Sequence, residues 1–210
     1  MLQLKTDKQY IIGVDEVGVG CIAGKLYVCA FLAPTNWSHK GITDSKKLTS
    51  KTRERLVDEL FEEGHKTCEI QFNTVSVHPN DVDTYKEYGT NLHGALKYLY
   101  WKAVDLLLIG FNGEPLIVLD GNIPFPEHPR KLGESISLPK ADALVQHVGA
   151  ASILAKAARD AYMTELDVKY PNYGWMKNKG YPTSDHLAAL KKHGYCDEHR
   201  KSFEPIKSML

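Results

Sequence analysis

The sequence predicts an α/β fold in which a β-sheet packs against helices. Five short apolar segments have the composition of strands, and longer segments with apolar residues at helical spacing alternate with them. The 210 residues are 43% hydrophobic and 25% charged, which is typical of a globular chain with a substantial core and excludes a disordered one.

The predicted strands cover residues 10–17, 25–32, 67–74, 115–119 and 135–138. The first two are separated by only a few residues, so we expect them to pair as an antiparallel hairpin. The fourth is the continuous apolar run Pro-Leu-Ile-Val-Leu, which is typical of a strand buried on both faces.

The predicted helices cover residues 50–64, 80–108, 143–162 and 184–193. The first places Leu56 and Leu60 on one face and is expected to end at Gly64. The third is rich in alanine, and its small side chains suit close packing against a sheet.

Charge and cysteine content limit the cellular setting. Lys and Arg total 26 and Asp and Glu total 26, so a nucleic-acid partner would require a local basic patch. The four cysteines lack metal-binding spacing, which predicts free thiols and a cytoplasmic protein. The absence of a signal-peptide core and of a run of about 18 apolar residues predicts that no segment crosses a membrane.

Carboxylates follow or flank three of these segments. Asp15 and Glu16 lie at the end of the first strand, Asp120 directly follows the fourth, and Asp142 lies where the alanine-rich helix begins. Each alone has an ordinary explanation as an exposed pair, a turn residue or a helix cap. Brought together, they would repel one another unless a cation were bound. Oxygen ligands select Mg²⁺ or Mn²⁺, and two such ions are the usual catalysts of phosphodiester hydrolysis.

A competing motif is the glycine-rich segment 18–24, which resembles a dinucleotide-binding loop. Such a loop must open a helix whose N-terminus faces the pyrophosphate, whereas a strand-like segment follows here. The adjacent acidic pair would also repel phosphate. This context argues against a nucleotide-cofactor enzyme.

The order and spacing of several motifs resemble ribonuclease HII, a family that cuts the RNA strand of RNA–DNA hybrids and incises DNA at embedded ribonucleotides. The resemblance runs from Ile12 to about Lys207. Its motifs are Gly-Val-Asp-Glu-Val-Gly (13–18), Asp-Ser-Lys-Lys-Leu (44–48), Leu-Asp-Gly-Asn (119–122), Lys-Ala-Asp-Ala-Leu-Val (140–145), Ala-Ala-Ser-Ile-Leu-Ala-Lys-Ala-Ala-Arg-Asp (150–160) and the aromatic tail ending in His-Arg-Lys-Ser-Phe-Glu-Pro.

The resemblance implies a ribonuclease H-like fold with a five-stranded mixed sheet. It implies a catalytic domain at 1–168, a helical C-terminal extension packed on it at 169–210, and a monomer. Asp15, Glu16, Asp120 and Asp142 match the family's four acidic residues, which implies hydrolysis with two Mg²⁺ or Mn²⁺ ions, leaving 5′-phosphate and 3′-hydroxyl ends. The implied partners are RNA–DNA hybrids and duplex DNA that contains ribonucleotides.

The resemblance also implies contacts with the substrate. Gly18, Val19 and Gly20 occupy the segment that holds the ribonucleotide, Tyr181 matches a tyrosine that packs on the following deoxyribose, and Lys46 matches a phosphate-contacting lysine. The alternatives are that Tyr181 only packs the tail and that Lys46 is an ordinary exposed lysine. Ser152 and Lys156 either orient the site or pack against the sheet.

The chain departs from the family at one position of this segment. The family usually has Gly-Arg-Gly where this chain has Gly18-Val19-Gly20, so the backbone contacts can persist but the charge is lost. The related family ribonuclease HIII has a different sequence in this segment. Its fourth acidic residue is Glu, where this chain has Asp142, and it carries an added N-terminal domain.

The tail supplies a local basic region. Residues 176–207 contain seven basic residues, among them Lys177, Lys191 and Arg200, and four acidic residues. This region either follows a nucleic-acid backbone or is a solvated helix face. A catalytically silent module that binds hybrids remains the alternative function, supported only by the missing arginine.

Overall fold

The computed structural model of the protein describes residues 2, 4–42, 48–84, 91–122, 124 and 133–210. Within these residues, five strands form one sheet in the order β3-β2-β1-β4-β5. The strands are β1 (Tyr10–Val17), β2 (Leu26–Pro34), β3 (Gln71–Val77), β4 (Leu116–Asp120) and β5 (Ser135–Leu138). The predicted α/β fold with a mixed five-stranded sheet flanked by helices is confirmed.

The three strands β1, β4 and β5 run parallel to one another. Val14 of β1 lies opposite Leu119 of β4, and Asp120 of β4 lies opposite Leu138 of β5. One face of this part of the sheet packs into an apolar cluster with the start of the alanine-rich helical region, formed by Ile11, Leu116, Val118, Ala141, Val145 and Val148. The carboxyl ends of β1 and β4 therefore lie side by side.

The helices are α1 (Ser50–Thr67), α2 (Pro79–Thr84), α3 (Asn91–Leu107), α4 (Ala141–Leu144), α5 (Gln146–Lys169), α6 (Trp175–Asn178) and α7 (Ser184–His193). The bounds predicted for α7 are confirmed, and its N-terminus is capped by the side chain of Thr183. Residues 85–90 of the single helix predicted at 80–108 lie outside the described residues.

Two predicted helix bounds are wrong. Helix α1 continues past Gly64 and ends where Cys68 takes a left-handed conformation, with its N–H bonded to the Gly64 carbonyl, so β3 begins later than predicted. The predicted helix at 143–162 is two helices, because Val145 is extended and separates α4 from α5. Helix α5 runs on to Lys169, just before Pro171.

The chain forms two compact units. The first consists of Met1–Glu16, Val28–Val75 and Leu99–Ala157, and the second of Val17–Tyr27, Ser76–Tyr98 and Ala158–Leu210. The second unit has its own apolar cluster, formed by Ile22, Ala23, Met163, Leu166, Tyr173, Trp175, Leu190 and Ile206. In the part of the chain that the structure describes, no helix has the length and apolar character needed to cross a bilayer.

Gly13 in β1 provides a test of this packing. A Cβ built on Gly13 would lie 2.2 Å from the carbonyl carbon of His147 and 2.3 Å from the amide nitrogen of Val148. We expect Gly13→Ala to lower the free energy of unfolding by about 2–3 kcal/mol, because the backbones must move apart. Urea denaturation followed by circular dichroism measures the change.

Gly20→Ala is the control for Gly13→Ala. A Cβ on Gly20 would have its nearest neighbour at 4.0 Å, so we expect a change within about 0.5 kcal/mol. Equal losses of stability in the two variants would contradict the close approach of β1 and α5.

Candidate active site

The acidic pair Asp15 and Glu16 lies at the end of β1, as predicted. Asp15 is 6% exposed, and its Oδ1 accepts a hydrogen bond from the backbone N–H of Glu16 at 2.8 Å. Burial raises the pKa of Asp15 well above its usual value, and the charges of Glu16 and Asp120 raise it further, while a hydrogen bond with Ser152 acts in the opposite direction. The ionised form of Asp15 is therefore destabilised by burial and by the negative charges of Glu16 and Asp120.

Asp120 is the last residue of β4. Since Val14 lies opposite Leu119, Asp15 and Asp120 occupy the next positions of two neighbouring parallel strands. The Oδ1 atom of Asp120 accepts a hydrogen bond of 2.6 Å from the backbone N–H of Ala141. The parallel pairing thus brings two remote carboxylates to one level of the sheet.

Asp142 lies in the first turn of α4 and is 3% exposed. Lys140 takes a left-handed conformation with φ of 59°, which turns the chain from β5 into α4. The Oδ1 atom of Asp142 accepts from the N–H of Ala143 at 3.0 Å. Asp142 directly follows Ala141, whose backbone N–H donates to Asp120. The start of α4 is therefore linked to the end of β4.

Tyr100 is a site residue that the sequence did not reveal. Its hydroxyl donates to Oε2 of Glu16 at 2.8 Å, and its side chain is buried. Burial raises the pKa of Tyr100, and so do the charge of Glu16 and its hydrogen bond. In the sequence Tyr100 is one of several aromatic residues of a core helix, and only the fold places it against the acidic pair.

The donor set fits a hard divalent cation in its chemistry, since it consists of carboxylate oxygens, and a cation would offset the repulsion that raises the pKa of Asp15. In the side-chain positions of this structure, however, no three Asp, Glu, His or Cys groups of the described residues converge closely enough to hold an ion. The carboxylates instead accept hydrogen bonds from Glu16 N–H, Ala141 N–H and Ala143 N–H.

The predicted substrate contacts Gly18, Gly20 and Tyr181 lie together in the second unit. Gly18 has φ of +95°, and a Cβ there would lie 2.4 Å from Nε of Arg159, so no other residue fits without rearrangement. A Cβ built on Gly20 would lie 4.0 Å from Cε1 of Tyr181. The Tyr181 side chain is 41% exposed, so its ring is available at the surface beside the glycine loop.

Other predicted residues have different settings. Ser152 is buried and hydrogen-bonds Asp15, which favours the alternative that it orients the site. Lys46 lies outside the described residues. The glycine-rich segment leads into β2 and not into a helix, as its sequence context predicted.

One of the seven basic residues counted in the tail, Arg200, is fully buried, and so is Arg159 of α5. Arg159 donates to the carbonyls of Ala23, Lys25 and Lys179, and Arg200 donates to those of Gly18, Val19 and Gly24. Arg200 therefore does not contribute to a phosphate-binding surface, although exposed lysines of this region such as Lys177, Lys191 and Lys192 can.

The mixed five-stranded sheet flanked by helices is the ribonuclease H-like fold, and in this chain carboxylates lie at the ends of two adjacent parallel strands. The family model "Ribonuclease HII" matches residues 12–206. Ribonuclease HII of Shewanella sp. strain W3-18-1 is 38% identical over 202 residues, which cover 95% of this chain and 90% of that protein. The chain belongs to the ribonuclease HII family.

Solved structures share the fold. The ribonuclease H2 of Pyrococcus horikoshii OT3 aligns with a TM-score of 0.71 and 23% identity, covering 95% of this chain and 96% of that one. Bst-RNase HIII, solved in complex with Mn²⁺, aligns with a TM-score of 0.68 and 20% identity, covering 95% of this chain but 68% of that one.

Membership of the family establishes the activity. The protein is a metal-dependent endoribonuclease that acts on RNA–DNA hybrids, and a catalytically silent binding module is not favoured. The presence of Val19 where the resemblance predicts arginine does not alter this assignment, since the family model that matches is that of ribonuclease HII.

The raised pKa of Asp15 predicts a stabilising substitution. In metal-free protein at pH 7 we expect Asp15→Asn to raise the free energy of unfolding by about 1 kcal/mol or more, because asparagine is neutral without a proton at a position where burial and the charges of Glu16 and Asp120 disfavour the ionised carboxylate. The folded state binds the Asp15 proton more tightly than the unfolded chain, so wild-type stability falls as pH rises through the raised pKa. The advantage of the variant should vanish at about pH 4, near the ordinary pKa of Asp.

Urea denaturation in a chelator at several pH values measures this difference. Asp185→Asn is the control, because the Asp185 side chain is 80% exposed, and we expect it to change stability by less than about 0.5 kcal/mol. A metal-free Asp15→Asn variant less stable than wild type at pH 7 would show that repulsion does not dominate at this carboxylate.

Proposed function

We propose that Asp15, Glu16, Asp120 and Asp142 hold two divalent ions and hydrolyse the RNA strand of a hybrid to 5′-phosphate and 3′-hydroxyl ends. One observation carries the proposal. Parallel pairing of β1 with β4 sets Asp15 beside Asp120, and the charge of Asp120 raises the pKa of Asp15. When bound, the ions supply an activated water and stabilise charge on the leaving oxygen.

The surrounding groups orient the carboxylates before any ion binds. The Ala141 amide fixes Asp120, the Glu16 amide fixes Asp15, and the Tyr100 hydroxyl fixes Glu16. Such fixed hydrogen bonds limit the reorganisation required when ligand arrives. Ser152 hydrogen-bonds Asp15 from helix α5 and has the same orienting role.

We propose Mg²⁺ or Mn²⁺ as the ion, because every proposed donor is a carboxylate oxygen and neither thiolate nor imidazole belongs to the set. The Mn²⁺ complex of Bst-RNase HIII, which has the same fold, supports this choice.

We propose duplex DNA with embedded ribonucleotides as a second substrate. The loop Gly18-Val19-Gly20 holds the ribonucleotide through backbone groups, and Tyr181 packs on the next deoxyribose. Support comes from the exposed ring of Tyr181 beside Gly20. Lys46 is proposed to contact a phosphate on sequence grounds alone.

The proposed organisation is a monomer with a catalytic domain at 1–168 and a helical extension at 169–210. In the second unit, Trp175, Leu190 and Ile206 of the proposed extension pack on Ile22 and Met163, which supports the docking of the extension. We propose a cytoplasmic location, supported by four free cysteines.

Substitution of Asp120 tests the role of the acids. We expect Asp120→Asn to lower the rate of hybrid cleavage by at least about a hundredfold in Mg²⁺ or Mn²⁺, because a neutral amide binds divalent ions far less well than a carboxylate. Cleavage of an end-labelled RNA–DNA hybrid measures it, and Asp185→Asn is the control for the same change at an exposed site. Full activity of Asp120→Asn would contradict the proposal, and so would binding of the hybrid without cleavage by wild type.

Val19 tests the substrate loop. We expect wild type to incise a single embedded ribonucleotide more slowly than it cuts a long hybrid, because Val19 cannot pair with phosphate. Val19→Arg should raise kcat/KM on the single-ribonucleotide duplex by about tenfold, the value of one charge-assisted hydrogen bond.

Val168→Arg is the matched control, since Val168 is 79% exposed on α5 and gains the same charge. An equal gain in Val168→Arg would indicate general charge attraction. Equal wild-type rates on the two substrates, together with no effect of Val19→Arg, would show that the side chain at position 19 has no role in incision at a single ribonucleotide.

A further inference from the structure

One buried side chain binds both ends of the glycine-rich segment between β1 and β2. Arg200 is fully buried, and its Nη1 donates to the carbonyls of Gly18 at 2.7 Å and Val19 at 3.2 Å. Its Nε and Nη2 donate to the carbonyl of Gly24 at 3.2 and 3.0 Å. A single planar group thus joins the two ends of the segment 18–24.

These bonds determine where the loop amides point. A peptide unit is planar and trans, so the carbonyl of Gly18 and the N–H of Val19 point in opposite directions within one plane. The same holds for the carbonyl of Val19 and the N–H of Gly20. By holding both carbonyls, Arg200 sets the direction of the two amides that follow.

This orientation matters more in this chain than it would in one with a charged loop. Val19 offers no charge to the substrate, so recognition by the loop depends on its backbone groups. Gly18 has φ of +95° and Gly24 has φ of +82°. Because glycine has no side chain, neither residue can fix the loop backbone by contacts of its own.

We infer that Arg200 is a positioning residue that orients the Val19 and Gly20 amides toward the ribonucleotide, an inference that rests on the proposed role of this loop. The guanidinium suits this task because its donors form a rigid fork that reaches both loop ends. A lysine ammonium keeps the charge but is a compact point charge, and it cannot hold the Gly18, Val19 and Gly24 carbonyls at once.

The nearby Arg159 makes the distinction sharper. It is equally buried and also binds only carbonyls among its described hydrogen bonds, but these belong to Ala23, Lys25 and Lys179. It therefore joins the far end of the segment to the tail. The Gly18 carbonyl accepts from Arg200 and, at 3.3 Å, from the Cys21 N–H, and the Val19 carbonyl accepts from Arg200.

The test compares Arg200→Lys with wild type on a duplex that contains one ribonucleotide. We expect KM to rise by about tenfold with kcat changed less than about twofold, since the loop binds substrate and the acids perform the chemistry. Amide hydrogen exchange at Val19 and Gly20 should accelerate in the same variant, and this second measurement does not depend on activity.

Leu190→Ala is the control for lost stability. Leu190 is buried in the apolar cluster of the same unit and is not among the residues that hydrogen-bond the loop. A KM increase in Leu190→Ala equal to that in Arg200→Lys would overturn the inference, as would unchanged exchange at Val19 and Gly20 in Arg200→Lys.

The outcomes also separate the inference from the proposed function. If wild type fails to incise the duplex while exchange accelerates in Arg200→Lys, the proposed substrate is wrong and the orientation of the loop by Arg200 stands. If wild type incises the duplex and Arg200→Lys has the wild-type KM, the substrate stands and the positioning role is wrong.

Discussion

The repulsion between carboxylates at the ends of β1 and β4 is the constraint on which the active site depends. Parallel pairing places Asp15 and Asp120 on adjacent strands, and burial makes the charge of Asp15 costly. A stable fold alone gains nothing from this arrangement. A bound divalent cation would offset this repulsion, which is the role proposed above for the acids.

The acids accept hydrogen bonds from several neutral donors. Backbone amides of Glu16, Ala141 and Ala143 and the hydroxyl of Tyr100 donate to the carboxylates. Each of these four donors is an uncharged group, which orients a carboxylate without neutralising it. Ser152 acts in the same way toward Asp15.

The second unit uses charge in the opposite manner. Arg159 and Arg200 are cations buried against backbone carbonyls, and burial lowers the pKa of Arg200 to about 10. Both shape a glycine-rich loop whose sequence carries no charge at Val19. The loop carbonyls of Gly18, Val19 and Gly24 are bound by Arg200, and those of Ala23 and Lys25 by Arg159.

The sequence alone predicted the order of the strands and the position of Asp15, Glu16 and Asp120 at strand ends, because apolar runs ended by carboxylates are local signals. It misplaced the C-terminal end of α1 and missed the break at Val145, where individual backbone conformations and tertiary packing override propensity. Only the tertiary structure decided that Tyr100 meets Glu16 and that Arg200 is buried against Gly18 and Val19. Those contacts join residues 84 and more than 180 positions apart, and no local pattern encodes such a pairing.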